Sequence, residues 1–166
     1  MSLVTNTKSA AFTAILAFIC AAPALGQDEP SFDDPDPIVE LRADDPVMAA
    51  ARTQARETLR QWLAVLADPP AGSESVAFKF PLEGWEHIWV ENVTRDGEFL
   101  QGTLSNVPHS EGWSWGDFVR VPISDVSDWA YRDSEGVMQG HFTTRALFQQ
   151  IEPELVAQIK ADFGWE

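Results

Sequence analysis

The chain has 166 residues and an acidic composition, with 11 Lys and Arg against 26 Asp and Glu and a formal net charge of −15. This negative charge repels the phosphate backbone of nucleic acids and excludes nucleic-acid binding through a basic surface. Hydrophobic residues make up 45% of the chain, which excludes a wholly disordered protein. The length suits one folded domain of modest size.

Residues 1–26 have the pattern of a secretory signal peptide. Lys8 and the amino terminus supply positive charge ahead of an apolar stretch over residues 10–22, and small residues follow. The pattern predicts cleavage after Gly26, with cleavage after Ala24 as the alternative, and therefore a periplasmic or secreted protein. An uncleaved membrane anchor is the rival interpretation, but the apolar stretch is shorter than the roughly 20 residues that span a bilayer. No membrane span is expected after cleavage.

The predicted mature chain begins at Gln27 and contains no cysteine, because Cys20 lies within the signal peptide. Disulfide bonds and cysteine metal sites are therefore not expected in it. A lipoprotein anchored at Cys20 is disfavoured, because Ile19 stands where the lipoprotein peptidase normally requires Gly, Ala or Ser.

An acidic, proline-rich segment over residues 27–46 is predicted to be a disordered tether. It holds eight acidic residues, one arginine and four prolines. Residues 47–68 are predicted to form an amphipathic helix, because their apolar residues recur at intervals of three and four and Asp45 can cap the first turn. The prolines at 69–70 end this helix.

From residue 76 onward the hydrophobic period changes to two, which predicts β-strands. The predicted strands cover residues 76–82, 85–93, 99–105, 118–123, 129–131 and 137–139. One domain over residues 76–152 is expected to hold them, together with a helix capped by Thr143, and a C-terminal helix follows over residues 153–166. The predicted fold class is α+β, a small bent antiparallel sheet or partial barrel of five to six strands with one N-terminal and two C-terminal helices packed on it.

Five short motifs resemble the YegJ-like bacterial domain of unknown function. They are HIWVE at 87–91, GTL at 102–104, GDFVRVP at 116–122, SDVSDW at 124–129 and FTTR at 142–145. Their order and spacing match that family across residues 76–152. The resemblance implies a bacterial protein but no particular reaction, because the family has no established activity.

The residue types of a catalytic site are present without a catalytic motif. The three histidines at 87, 109 and 141 lack metal-ligand spacing, so no metal site and no cofactor are predicted. No G-x-S-x-G motif is present either. An envelope hydrolase that uses Asp and His is kept as an alternative. Its catalytic candidates are Asp117, Asp125, Asp128 and His141.

Arg145 stands at the start of a predicted helix, where the helix dipole disfavours a cation. We therefore expect a buried ion pair between Arg145 and Asp125 or Asp128 that clamps a strand and turn to this helix. The predicted clamp comprises Arg145, Asp125, Asp128, Trp129, Thr143 and Thr144. An anion bound at the helix N-terminus is the functional alternative.

Trp113 and Trp115 alternate in a glycine-flanked loop and form the predicted contact surface. Paired tryptophans on a loop form either a lid on the core or a binding surface. The preferred interpretation is a monomeric, non-catalytic binding or inhibitory module of the bacterial cell envelope, whose partner is a cationic envelope protein or a glycan. A purely structural accessory domain is the other alternative.

Overall fold

The computed structural model describes residues 45–166. The predicted signal peptide over residues 1–26 lies outside the described residues, as does the predicted tether except for its last two residues. Within residues 45–166, no helix is long and apolar enough to cross a membrane. The predicted α+β class is confirmed. Along the chain, one N-terminal helix precedes a six-stranded antiparallel sheet that is not closed, and two C-terminal helices follow it.

The secondary structure follows the predicted order along the described chain. The helices are α1 (Pro46–Ala67), α2 (Phe142–Ala146) and α3 (Pro153–Phe163). The strands are β1 (Glu74–Leu82), β2 (Glu86–Asp96), β3 (Phe99–Leu104), β4 (Phe118–Pro122), β5 (Asp128–Arg132) and β6 (Met138–Gly140). Strand ends differ from the predicted ends by three residues at most.

Helix α1 begins where its sequence predicts. The carboxylate of Asp45 accepts hydrogen bonds from the backbone N–H groups of Val47 (2.8 Å) and Met48 (3.0 Å). These donors lack partners within the helix, and the bond from Met48 lowers the pKa of Asp45. Pro46 occupies the first helical position, where its missing N–H costs nothing.

The sheet has the strand order β4-β3-β2-β1-β5-β6, and each neighbouring pair is antiparallel. Successive side chains of the central strand β1 point to opposite faces. Phe78 and Phe80 join Trp62 of α1 in the larger core. Ala77 lies on the other face, where it belongs to a smaller core with Phe163 of α3. Helices therefore cover both faces, with α1 on one and α3 on the other.

The second helix departs from the prediction at its first turn. Thr143 is not its cap, because α2 begins at Phe142 and the preceding His141 adopts the left-handed conformation with φ +53°. The hydroxyl of Thr143 donates instead to the carboxylate of Asp128 on β5. The sequence predicted that the Thr143 hydroxyl would cap its own helix, whereas it bonds to Asp128, which is 15 residues away in the chain.

Gly140 closes β6 against Trp129 and is expected to tolerate no side chain. Its φ is +78°, and an added Cβ would overlap the carbonyl oxygen of Trp129 and lie 2.6 Å from its ring. We expect Gly140→Ala to lower the free energy of unfolding by more than about 2 kcal/mol, because left-handed strain alone costs about 1–3 kcal/mol. Urea denaturation measures the change.

Gly112→Ala is the matched control for this substitution. Gly112 has φ +82°, but no atom lies within 4 Å of the position of its Cβ. The control therefore introduces the backbone strain without the overlap and should cost less. Equal losses in the two variants would contradict the close packing of β6 on β5.

Candidate functional site

Asp128 is a completely buried carboxylate at the start of β5. Its oxygens accept hydrogen bonds from the backbone N–H groups of Trp129 (2.8 Å), Phe142 (3.2 Å) and Thr143 (2.8 Å), and from the hydroxyl of Thr143 (2.6 Å). Burial raises the pKa of Asp128, and the hydrogen bonds from Thr143 oppose that rise. The N–H groups of Phe142 and Thr143 belong to the first turn of α2, which lacks internal acceptors for them. Asp128 therefore fixes the start of α2 to the sheet.

The structure does not contain the predicted ion pair between Arg145 and Asp125 or Asp128. The guanidinium of Arg145 lies 4.0 Å from the centroid of the Trp165 ring and donates to the carbonyl of Met138 (3.4 Å). Asp128 is already occupied by donors from α2, and Asp125 is exposed. A clamp between strand and helix does exist, but its donors are backbone amides and a hydroxyl.

His141 lies in an aromatic cluster next to this clamp. Its ring centroid is 4.4 Å from that of Trp89 and 4.7 Å from that of Phe163, and its Nδ1 lies 3.1 Å from the hydroxyl oxygen of Thr144. Its Nε2 and the Nε1 of Trp89 are buried without a hydrogen-bond partner in the described chain. Burial holds the pKa of His141 well below its ordinary value, so the ring is neutral at pH 7.

Three further polar residues meet beside Asp128, and the sequence did not predict this cluster. The hydroxyl oxygen of Ser127 lies 2.8 Å from Nδ1 of His87 and 3.2 Å from the carbonyl oxygen of Lys79. Lys79 is the register partner of both Asp128 and Trp89. Burial and the charge of Lys79 lower the pKa of His87 to about 4, which leaves this histidine neutral. Ser127 is 40 positions from His87 and 48 from Lys79, so no local pattern could join it to them.

Ser127 and His87 have the residue types of a nucleophile and its base, but the nucleophile is inaccessible. Ser127 is 1% exposed, and its backbone N–H is bonded to the carbonyl of Lys79. A nucleophile must reach its substrate as well as its base. The geometry of this pair therefore supports a structural network.

The four catalytic candidates from the sequence do not form one site. Asp128 on β5 and His141, which precedes α2, are both buried near the first turn of α2. Asp117 accepts the N–H of Ser114 within the β3–β4 loop, and Asp125 is exposed in a 3-10 turn. Among residues 45–166, no group of three His, Cys, Asp or Glu residues is placed to hold a metal ion.

One end of the sheet exposes several aromatic side chains. The β1–β2 turn and the β3–β4 loop lie at the same end, because alternate connections of an antiparallel meander share an end. There Trp85 is 56%, Trp115 49% and Phe118 63% exposed. We call these three side chains the aromatic end. It contains Trp115, one of the two tryptophans that the sequence predicted as a contact surface.

A buried acid fixes the loop that carries Trp115. The carboxylate of Glu86, which is 8% exposed, accepts hydrogen bonds from the N–H groups of His109 (2.8 Å) and Ser110 (2.9 Å). It also accepts a bond from the hydroxyl of Ser110 at 2.8 Å. Sequence reasoning missed Glu86, because an acid at the start of a strand ordinarily lies in solvent.

The two tryptophans of the loop have different environments. Trp113 packs against the larger core, and its indole N–H donates to the carboxylate of Glu83 at 3.0 Å. Trp115 is half exposed. The position of Trp113 therefore matches the lid, one of the two alternatives from the sequence, whereas Trp115 faces solvent.

Residues 45–166 match a family described as an uncharacterised protein conserved in bacteria, DUF2314. The match covers every described residue, and the chain belongs to this family. The chain is 32% identical over 80 residues to a protein of Neisseria meningitidis serogroup B that carries the provisional name of ankyrin repeat protein. The aligned segment is 48% of this chain and 31% of that relative, so the chain spans under a third of the relative's length. No solved structure matches the chain.

Removal of the Asp128 carboxylate is expected to destabilise the fold strongly. Asp128→Ala leaves three backbone N–H groups without their acceptor, and each buried unsatisfied group costs about 1–3 kcal/mol. We expect a loss of at least about 3 kcal/mol in the free energy of unfolding, measured by urea denaturation. Asp125→Ala is the control, because that side chain is exposed. Similar losses in both variants would contradict the role assigned to Asp128.

Mild acid is expected to destabilise the protein through the buried, neutral His141. The pKa of His141, which is 4% exposed, is held well below its ordinary value by burial. Below the unfolded pKa of about 6.5, the unfolded chain gains protons that the folded chain does not, so the stability that is present at pH 7 falls as pH falls. Urea midpoints between about pH 7 and pH 5 measure the slope, which reaches about 1.4 kcal/mol per pH unit for one buried histidine.

His141→Gln should reduce this slope, because glutamine does not titrate. A slope that is the same in His141→Gln as in the unsubstituted protein would contradict the assignment.

Proposed function

We propose that this member of the DUF2314 family is a non-catalytic binding module of the bacterial cell envelope that uses the aromatic end as its contact surface. The observation that carries the proposal is the exposure of Trp85, Trp115 and Phe118 at one end of the sheet. The polar residues with catalytic potential, Ser127 and Asp128, are buried instead. The side chains that face solvent at this end are aromatic, and they suit contact with a partner better than catalysis.

The aromatic end has two properties of a binding hot spot. Tryptophan contributes a large, rigid contact area and is among the residues enriched at such spots. The loop carrying Trp115 is fixed by Glu86 and by the bond from Trp113 to Glu83, so little ordering entropy is lost on binding.

The charge around the aromatic end favours a cationic protein partner. Glu83 and Glu111 are exposed in the same two connections that carry Trp85 and Trp115. The chain as a whole has a formal charge of −15, which speeds the approach of a basic partner. Indole rings also bind cations directly through their faces.

Export belongs to the same proposal. It is supported by Lys8 and the apolar stretch over residues 10–22, which have the order of a signal peptide with cleavage after Gly26. The residue pattern of 27–46 supports a tether ahead of the domain. The motifs over residues 76–152 support the finer assignment to a YegJ-like group, although they imply no reaction.

Trp115→Ala is expected to weaken partner capture without changing the fold. The purified protein is used to capture partners from envelope extract at low and high salt, and the affinity for the main captured protein is then measured. We expect the affinity to fall at least about tenfold, because truncation of a tryptophan hot spot costs about 2 kcal/mol or more. High salt should weaken capture by the unsubstituted protein as well.

Val47→Ala is the matched control, since Val47 is 41% exposed but lies on α1. It should leave the affinity unchanged, and both variants should keep the melting temperature. Equal affinity of Trp115→Ala and the unsubstituted protein would contradict the proposal. Capture of envelope glycan alone, unaffected by salt, would contradict the cationic protein partner.

A further inference from the structure

Strand β4 is an edge of the sheet. It pairs with β3 on one side, and no described strand pairs with its other side. An edge strand presents a row of backbone N–H and C=O groups that an additional strand can pair with. Its first residue, Phe118, is 63% exposed and belongs to the aromatic end.

The register of β4 shows which backbone groups face the open side. Two backbone bonds flank the strand, Leu104 N–H to Asp117 O and Ile123 N–H to Glu98 O, both 2.9 Å. Hydrogen-bonded and non-hydrogen-bonded pairs alternate along an antiparallel ladder. Val119 and Val121 therefore bond to β3, whereas the N–H and C=O groups of Phe118 and Arg120 point to the open side. Pro122 also falls on the open side, where its missing N–H costs no bond within the sheet.

An apolar pocket lies beside this open edge. Its volume is about 260 Å³, and its apolar lining consists of Phe80, Leu82, Trp113, Phe118, Val119 and Val121. Two charged residues, Glu83 and Arg120, also border it, and the guanidinium of Arg120 is paired with the carboxylate of Asp96 at 3.1 Å. Pockets for drug-sized ligands run from about 300 to 1,000 Å³, so this pocket suits one or two apolar side chains better than a separate small molecule.

We propose that β4 binds an extended segment of the partner protein, which adds a seventh strand to the sheet and places an apolar side chain in this pocket. The inference rests on the proposed binding function and specifies how the partner is held. Backbone bonds to Phe118 and Arg120 supply affinity, and the pocket selects every second side chain of the bound segment. The carboxylate of Glu83 selects a lysine or arginine next to that apolar side chain.

A second copy of this chain is a poorer occupant of the edge. Each copy has a formal charge of −15, so two copies repel each other. This repulsion favours a segment of opposite charge from a different protein.

The probe for this proposal is a displayed library of random ten-residue peptides selected on the purified protein. We expect enriched peptides to alternate apolar residues and to contain lysine or arginine. Binding should slow amide hydrogen exchange of Phe118 and Arg120 at least tenfold and leave the amides of Val119 and Val121 unchanged. Failure to enrich such peptides, or protection confined to other strands, would overturn the proposal.

Two variants at one position separate backbone pairing from charge. Arg120→Pro removes an N–H that faces the open side, so we expect at least tenfold weaker binding of the selected peptide. Arg120→Ala keeps that N–H, so the affinity of this variant is the reference against which the loss in Arg120→Pro is measured. Equal binding by the two variants would overturn strand pairing, as would a dimer in which the amides of Phe118 and Arg120 are already protected.

The same variants distinguish this inference from the binding function itself. If Trp115→Ala abolishes capture of the envelope partner and Arg120→Pro does not, strand pairing at β4 is wrong and the aromatic contact surface stands. If neither substitution affects capture, both are wrong.

Discussion

The carboxylate of Asp128 joins the parts of this structure that could not form alone. Helix α2 has five residues, too few for an isolated helix to be stable in water, and Asp128 holds its first turn on β5. Ala146 of α2 then packs against Met48 and Ala51 of α1. Trp129, the residue after Asp128, donates from its indole to the carbonyl of Ala55 in α1 at 3.0 Å. The segment that begins at Asp128 thus joins α2 to the sheet and adds a hydrogen bond between the sheet and α1.

Burial separates the polar interior from the aromatic end. The hydroxyl of Ser127 and the carboxylate of Asp128 direct their hydrogen bonds to neighbouring strands and to α2, where an unpaired polar group would cost stability. The aromatic end has the opposite character, because its apolar groups face water while the loop beneath them is held by Glu86. The buried hydrogen bonds of Ser127 and Asp128 and the exposed side chains of the proposed contact surface therefore belong to different residues.

Trp113 connects the aromatic end with the open edge of β4. It packs against the larger core, bonds to Glu83 and lines the pocket beside β4. A partner that pairs with β4 would therefore meet Trp113 in the pocket and Phe118 on the strand. The edge and the aromatic end form one continuous region at this side of the molecule.

The sequence by itself determined the class of the fold, the order of its elements and the strand ends to within three residues, because two-residue alternation and the Asp45 cap are local signals. Only the tertiary structure decided that Thr143 bonds to Asp128, that Arg145 lies over Trp165, and that Glu86 fixes a loop more than 20 residues away. It also decided that Trp113 is a lid and Trp115 is exposed. Partners and burial at such separations depend on how the sheet and helices pack, and no local pattern encodes that packing.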